Sequence, residues 1–155
     1  MSDLKEEEIR VFVDAVTHYF AQLTTDRPQV RGAYLGAGDV RPPSLGFSGL
    51  IPISGGFQGS VYVSAPRAML RHLLVAAQES SQSDENLLDL VGEVANTIAG
   101  NARRFFGERM EIAVPVTIAG HADTIRPRCR TRPYIITVEW KGYTAQLVVD
   151  IDRKE

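Results

Sequence analysis

Residues 84–106, DENLLDLVGEVANTIAGNARRFF, form the stretch whose reading decides the fold. At 3.6 residues per turn, each residue advances about 100° around a helix axis. With Glu93 set at zero, Leu87, Leu88, Val91, Val94, Ala95, Ile98, Ala102, Phe105 and Phe106 fall within an arc of roughly 100° to 240°. Glu93, Asn96, Gly100, Asp89, Asn86 and Arg104 fall on the opposite side. The spacing predicts an amphipathic helix with a wide apolar face and a narrow polar ridge. Glu93 and Asn96, three residues apart on that ridge, project side by side. Two readings of the pair are open: a solvated helix face, and a surface presented to a partner. Gly92 and Gly100 favour the second, because an interior helical glycine costs roughly 1 kcal/mol relative to alanine. Exposed on the ridge, they would lower its relief and let another protein's backbone approach.

Outward from this helix, the pattern alternates between helix and strand. Ile9, Phe12, Val13, Val16, Tyr19, Phe20 and Leu23 predict a helix over 3–23, with Ser2 or Asp3 as its cap and Asp26-Arg27-Pro28 as its end. Strands are expected over 29–38, 45–54 and 57–64, the last two joined by the turn Ser54-Gly55-Gly56. Pro66 opens a helix over 66–79. After the ridge helix, capped by Gly107, residues 110–119 read as one strand whose Pro115 argues for an edge or a bulge. A loop over 120–133 precedes a hairpin of 134–141 and 143–152 around Gly142. The order is α-βββ-αα-βββ, an α+β layout with a largely antiparallel six-stranded sheet and its helices packed on one side.

The chain of 155 residues suits one compact domain over 1–155 with a real core. A net charge of −2 gives no general attraction to nucleic acid or anionic membrane. The single cysteine, Cys129, rules out an internal disulfide. With an acidic, amphipathic N-terminus in place of a secretory leader, it points to a cytoplasmic protein. No apolar run approaches the ~20 residues needed to span a bilayer.

Other constellations carry less. His18, His72 and His121 lack metal-ligand spacing, so no metal site is expected, and His18 and His72 read as half-buried helix residues. Gly55-Gly56-x-x-Gly59 lacks the Gly-Lys-Ser/Thr of a phosphate loop. Gly46-Phe47-Ser48-Gly49 misses the nucleophile-elbow spacing by one residue. Arg126, Arg128, Arg130 and Arg132 would line one side of an extended segment, either as a solvated loop or as a contact for an acidic partner or nucleic acid. No aromatic residue is interleaved among them, so nucleic-acid binding is not expected.

The run Gly92-Glu93-Val94-Ala95-Asn96-Thr97-Ile98-Ala99-Gly100-Asn101-Ala102 resembles the signature helix of the CheC/CheX/FliY phosphatases of bacterial chemotaxis, with the CheX branch the nearest. Residues 53–64, ISGGFQGSVYVS, are similar to the family's glycine-turned hairpin. Val114-Pro115-Val116-Thr117-Ile118-Ala119-Gly120 is similar to its post-helix strand. The resemblance implies a hydrolase, a protein phosphatase of two-component signalling that removes the phosphoryl group from the aspartate of CheY-type response regulators. It implies that Glu93 and Asn96 are the working residues. CheC-like relatives carry two such pairs; here the counterpart helix, 66–79, has no Asn, so one site per chain is implied, with a homodimer as in the CheX branch. No cofactor of its own is implied, since the receiver domain brings its own Mg²⁺. Asp89, Gly92, Gly100, Arg103 and Arg104 are then the expected partner-contact residues along the ridge. The rival reading is a non-catalytic receiver-binding or assembly module using the same ridge.

Overall fold

Alternation with period two decides which way each strand residue faces. Ile51, Ile53, Val61, Val63, Ile136, Val138, Leu147 and Val149 join the main core, whereas Tyr62, Ile135 and Val148, with Leu50 packed on them, form a separate small cluster. The buried apolar residues of the helices all belong to the first set and none to the second, so the helices share one face of the sheet.

The computed structural model describes residues 2–35, 46–120 and 133–154. Its elements are β1 (Ser2–Asp3), α1 (Glu6–Leu23), β2 (Gln29–Leu35), β3 (Phe47–Gly55), β4 (Phe57–Ala65), α2 (Arg67–Ala76), α3 (Asp84–Phe106), β5 (Met110–Ile112), β6 (Val116–Ala119), β7 (Tyr134–Trp140) and β8 (Tyr143–Arg153). The strands form one sheet in the order β2-β7-β8-β4-β3-β5, with β1 paired to β8 and β6 paired to β3. All pairings are antiparallel. The α+β class and the order of the expected elements hold.

The expected six strands become eight among the described residues, for two physical reasons. Ser2 and Asp3 do not cap the first helix; their backbone pairs with Arg153 and Asp152 of β8. The helix starts instead at Glu6, where the Glu8 carboxylate reaches back to accept from the Lys5 N–H at 2.9 Å. The expected strand over 110–119 breaks in two around Pro115, which has no N–H to give to a ladder. Its halves pair in succession along β3, β5 with Ile53–Gly55 and β6 with Phe47–Leu50. The second helix is shorter than expected, with Pro66 at its cap and its last residue Ala76. The loop over 121–132, with His121, Cys129 and the Arg126–Arg132 segment, lies outside the described residues, as does the expected end of the second strand past residue 35.

The ridge helix matches its expected bounds. Ser83 caps it by accepting from the Asn86 N–H at 3.2 Å, and Asp84 and Glu85 in the first turn and Arg103 and Arg104 in the last complement its dipole. Leu87, Val91, Val94, Ala95, Ile98 and Ala102 are buried and Leu88 and Phe106 partly so. Phe105 departs from the expected apolar face and is 62% exposed. Its neighbour Phe106 takes the inward place in the last turn, with its ring 6.0 Å from Phe12 and 5.5 Å from Phe57.

Candidate functional site

Two glycines seat α3 against the sheet. A Cβ at Gly49 of β3 would stand 2.7 Å from the Val91 carbonyl oxygen, and one at Gly92 of α3 would stand 2.8 Å from Thr117 Cγ2 of β6. The helix backbone therefore lies almost on the strands. Gly92 is buried in this contact. Its assignment as a partner-contact residue is corrected: the space it leaves is taken by β6 of the same chain. Gly100, by contrast, has nothing within 4 Å of an added Cβ and leaves the ridge low.

A helix so seated can present only its far side. Glu93, Asn96 and Asp89 are all exposed there. Among the described residues, neither the Glu93 nor the Asn96 side chain is engaged in a hydrogen bond or an ion pair. Three residues of helical rise separate them by about 4.5 Å along the axis. On one flank of the ridge lie Pro115 and Thr117 of β6 and its approach, packed beside Gly92. On the other flank runs α1, antiparallel to α3, with Phe12 beside Phe106 at one end and Tyr19 beside Glu93 at the other. Burial pushes the Tyr19 phenol well above its ordinary value, and the Glu93 carboxylate adds in the same direction.

The two arginines at the helix end differ. Arg103 donates from Nε to the Met110 carbonyl at 2.8 Å, tying β5 to the last turn of α3. Arg104 has no such tie among the described residues and lines a groove with Asp14, His18, Asn101 and Phe105. At the other end, the Arg67 guanidinium grips the Asp84 carboxylate, whose acid form is disfavoured by that hydrogen bond.

His72 is exposed rather than half-buried, although its ring packs 5.3 Å from Tyr143 and 6.2 Å from Trp140. His18 is exposed too, on the outer side of α1. Among the described residues no cluster of three or more His, Cys, Asp or Glu could hold a metal ion. No helix among them is long and apolar enough to cross a membrane. Tyr19 escaped the sequence reading, because a tyrosine in an apolar helical repeat looks like core. Only the packing of α1 beside Glu93 places it at the ridge.

The family model of the chemotaxis phosphatase CheX matches residues 47–139, which include all of α3 and both glycines of its seat. The chain belongs to the CheX family. Solved structures of similar shape include the chemotaxis protein CheX of Vibrio vulnificus, 20% identical over 94% of this chain and 99% of that one, with a TM-score of 0.79. A chemotaxis protein CheX of Desulfovibrio desulfuricans is 21% identical over 96% of this chain and 99% of that one, with a TM-score of 0.79. A chain of the CheX-CheY-BeF3-Mg²⁺ complex of Borrelia burgdorferi is 19% identical over 95% of this chain and 98% of that one, with a TM-score of 0.77. At these identities the likeness carries the fold. No protein with a curated description matches the chain. Inside the span that matches the CheX family, then, the exposed Glu93–Asn96 pair stands on a helix whose opposite face is used in packing.

Proposed function

We propose that this CheX-family chain is a phosphatase that hydrolyses the phosphoaspartate of a CheY-type receiver domain, with Asn96 orienting the attacking water and Glu93 pairing with the receiver's active-site lysine. The observation that carries the reading is the exposure of both side chains, unpartnered among the described residues, on one ridge inside the span that matches the family. An acyl phosphate is already activated toward water, so what remains is to hold that water in line with the scissile P–O bond. A carboxamide can do this, because its oxygen accepts from the water and its NH₂ donates to a phosphoryl oxygen. The water oxygen bonds to phosphorus as the P–O bond to the aspartate breaks. The aspartate leaves as its carboxylate, and both water hydrogens end on inorganic phosphate. Glu93, a turn earlier, fixes the docking register through a charge-assisted hydrogen bond. In this reading Mg²⁺ is held by the receiver, Asp89, Gly100 and Arg104 border the contact, and the chain works as a homodimer.

The test is the lifetime of the phosphoryl group on a panel of the host's phosphorylated receivers, measured with and without this chain. Accelerated phosphate release from at least one receiver is expected. A receiver that binds and keeps its phosphoryl group for an unchanged time would make the chain a docking module instead. Gel filtration with light scattering tests the homodimer.

A further inference from the structure

A groove of about 250 Å³ opens beside Glu93, between the ends of α1 and α2 and the first half of α3. Its floor includes Leu74 and Leu90, and its rim carries Glu79, Asp89 and Glu93. No lysine or arginine lines it among the described residues, and none of the three carboxylates is in an ion pair there. Tyr19 also lines the groove; its ring is buried, while its hydroxyl is not sealed from solvent and has no hydrogen-bond partner among the described residues. A hydroxyl at the wall of an open groove can bond a group that enters it.

Size and chemistry together narrow the occupant. Pockets for free drug-sized ligands run from about 300 to 1,000 Å³, so this one fits a single side chain better than a separate molecule. An apolar floor under an acidic rim matches a long basic side chain, whose methylene stem packs while its charged head stays at the edge. Glu93 belongs to both the groove and the ridge, and Asp89 lies one turn away, about 6 Å along the axis. A protein docked over Glu93 therefore covers the groove mouth.

We infer that the groove receives a lysine or arginine side chain of the docked receiver, separate from its active-site lysine, with the head group held by Tyr19, Glu79 and Asp89. This inference rests on the receiver-docking reading above and extends it from catalysis to partner choice. Receivers with a basic residue beside the phosphorylation pocket are selected, and those with an acidic residue there are repelled.

The test is affinity for a receiver loaded with beryllofluoride and Mg²⁺, measured by calorimetric titration across a salt series. Tyr19→Phe removes one oxygen and keeps the ring packing; it should raise Kd about threefold to tenfold. The double variant Glu79→Gln and Asp89→Asn should raise Kd about tenfold and flatten the salt dependence. Asp89→Lys should lose binding to that receiver and regain it when the receiver's basic residue is changed to glutamate. Wild-type affinity in both Tyr19→Phe and the double variant would overturn the inference, whatever the rate of hydrolysis. If instead these variants bind weakly while Asn96→Ala hydrolyses normally, the groove assignment stands and the catalytic reading falls.

Discussion

Replacing Gly49 with alanine tests how tightly α3 is held, because one methyl group must enter a gap too small for it. The added carbon would lie 2.7 Å from the Val91 carbonyl oxygen, 3.1 Å from its carbon and 3.3 Å from the Gly92 Cα. Close carbon–oxygen contacts between backbones settle near 3.3–3.6 Å, so the helix must retreat by roughly 0.6–0.9 Å. All three obstructing atoms are backbone, in the middle of a helix of 23 residues, and none can rotate aside. Overpacking of this kind costs about 1–3 kcal/mol. At roughly 2–4 °C per kcal/mol for a chain of this size, Gly49→Ala should lower Tm by about 2–12 °C. Gly100→Ala is the control on the same helix. Its Cβ meets nothing within 4 Å, so the variant gains helix propensity worth about 1 kcal/mol and should raise Tm by about 2–4 °C. Gly92→Ala falls between, since the atom it meets is a methyl of the exposed Thr117, which can turn away. Scanning calorimetry with urea unfolding measures all three. Equal stability of Gly49→Ala and wild type, or a loss in Gly100→Ala as large as in Gly49→Ala, would refute the close seating of the helix.

Two more outcomes are expected. The Glu8 carboxyl is buried and bound to Arg153, a hydrogen bond that holds its pKa below the ordinary 4.5 against the opposing effect of burial. With the folded value lowered, its contribution is complete above the unfolded pKa and fades as pH falls through the folded one. Glu8→Gln should cost about 2 kcal/mol at pH 7, and the gap in stability from wild type should narrow below pH 4.5; a gap that stays constant down to about pH 3 would contradict the pairing. Gly100→Leu builds a side chain onto the low part of the ridge and should weaken receiver binding by about tenfold or more while the protein still folds; unchanged affinity by titration would place the contact elsewhere.

The legible part of the fold was the part written in periodicity. The ridge helix, the hairpin strands and the closing hairpin show their apolar faces in one dimension, and the structure keeps them within a few residues. What could not be read depends on neighbours distant in sequence. A small residue on a helix does not announce what approaches it; at Gly92 it is Thr117, 25 positions later. Phe105 and Phe106 differ by one step of rotation, and only the placement of Phe12 and Phe57 decides which turns inward. The pairing of Ser2–Asp3 with β8 joins the two ends of the chain, far beyond any local signal. The same holds for the groove beside Glu93, which three separate helices build. At the ridge, helical periodicity alone places Glu93 and Asn96 on the exposed side, opposite the buried residues.

The most direct measurement is single-turnover phosphate release from a phosphorylated receiver with wild-type chain and with Asn96→Ala at saturating concentration. Orienting the nucleophile supplies several kcal/mol of the barrier, so the variant should lose about 100-fold or more of the stimulated rate, down to the receiver's own, while its affinity for the receiver stays close to wild type. Full stimulated hydrolysis by Asn96→Ala would contradict the proposed role of the carboxamide.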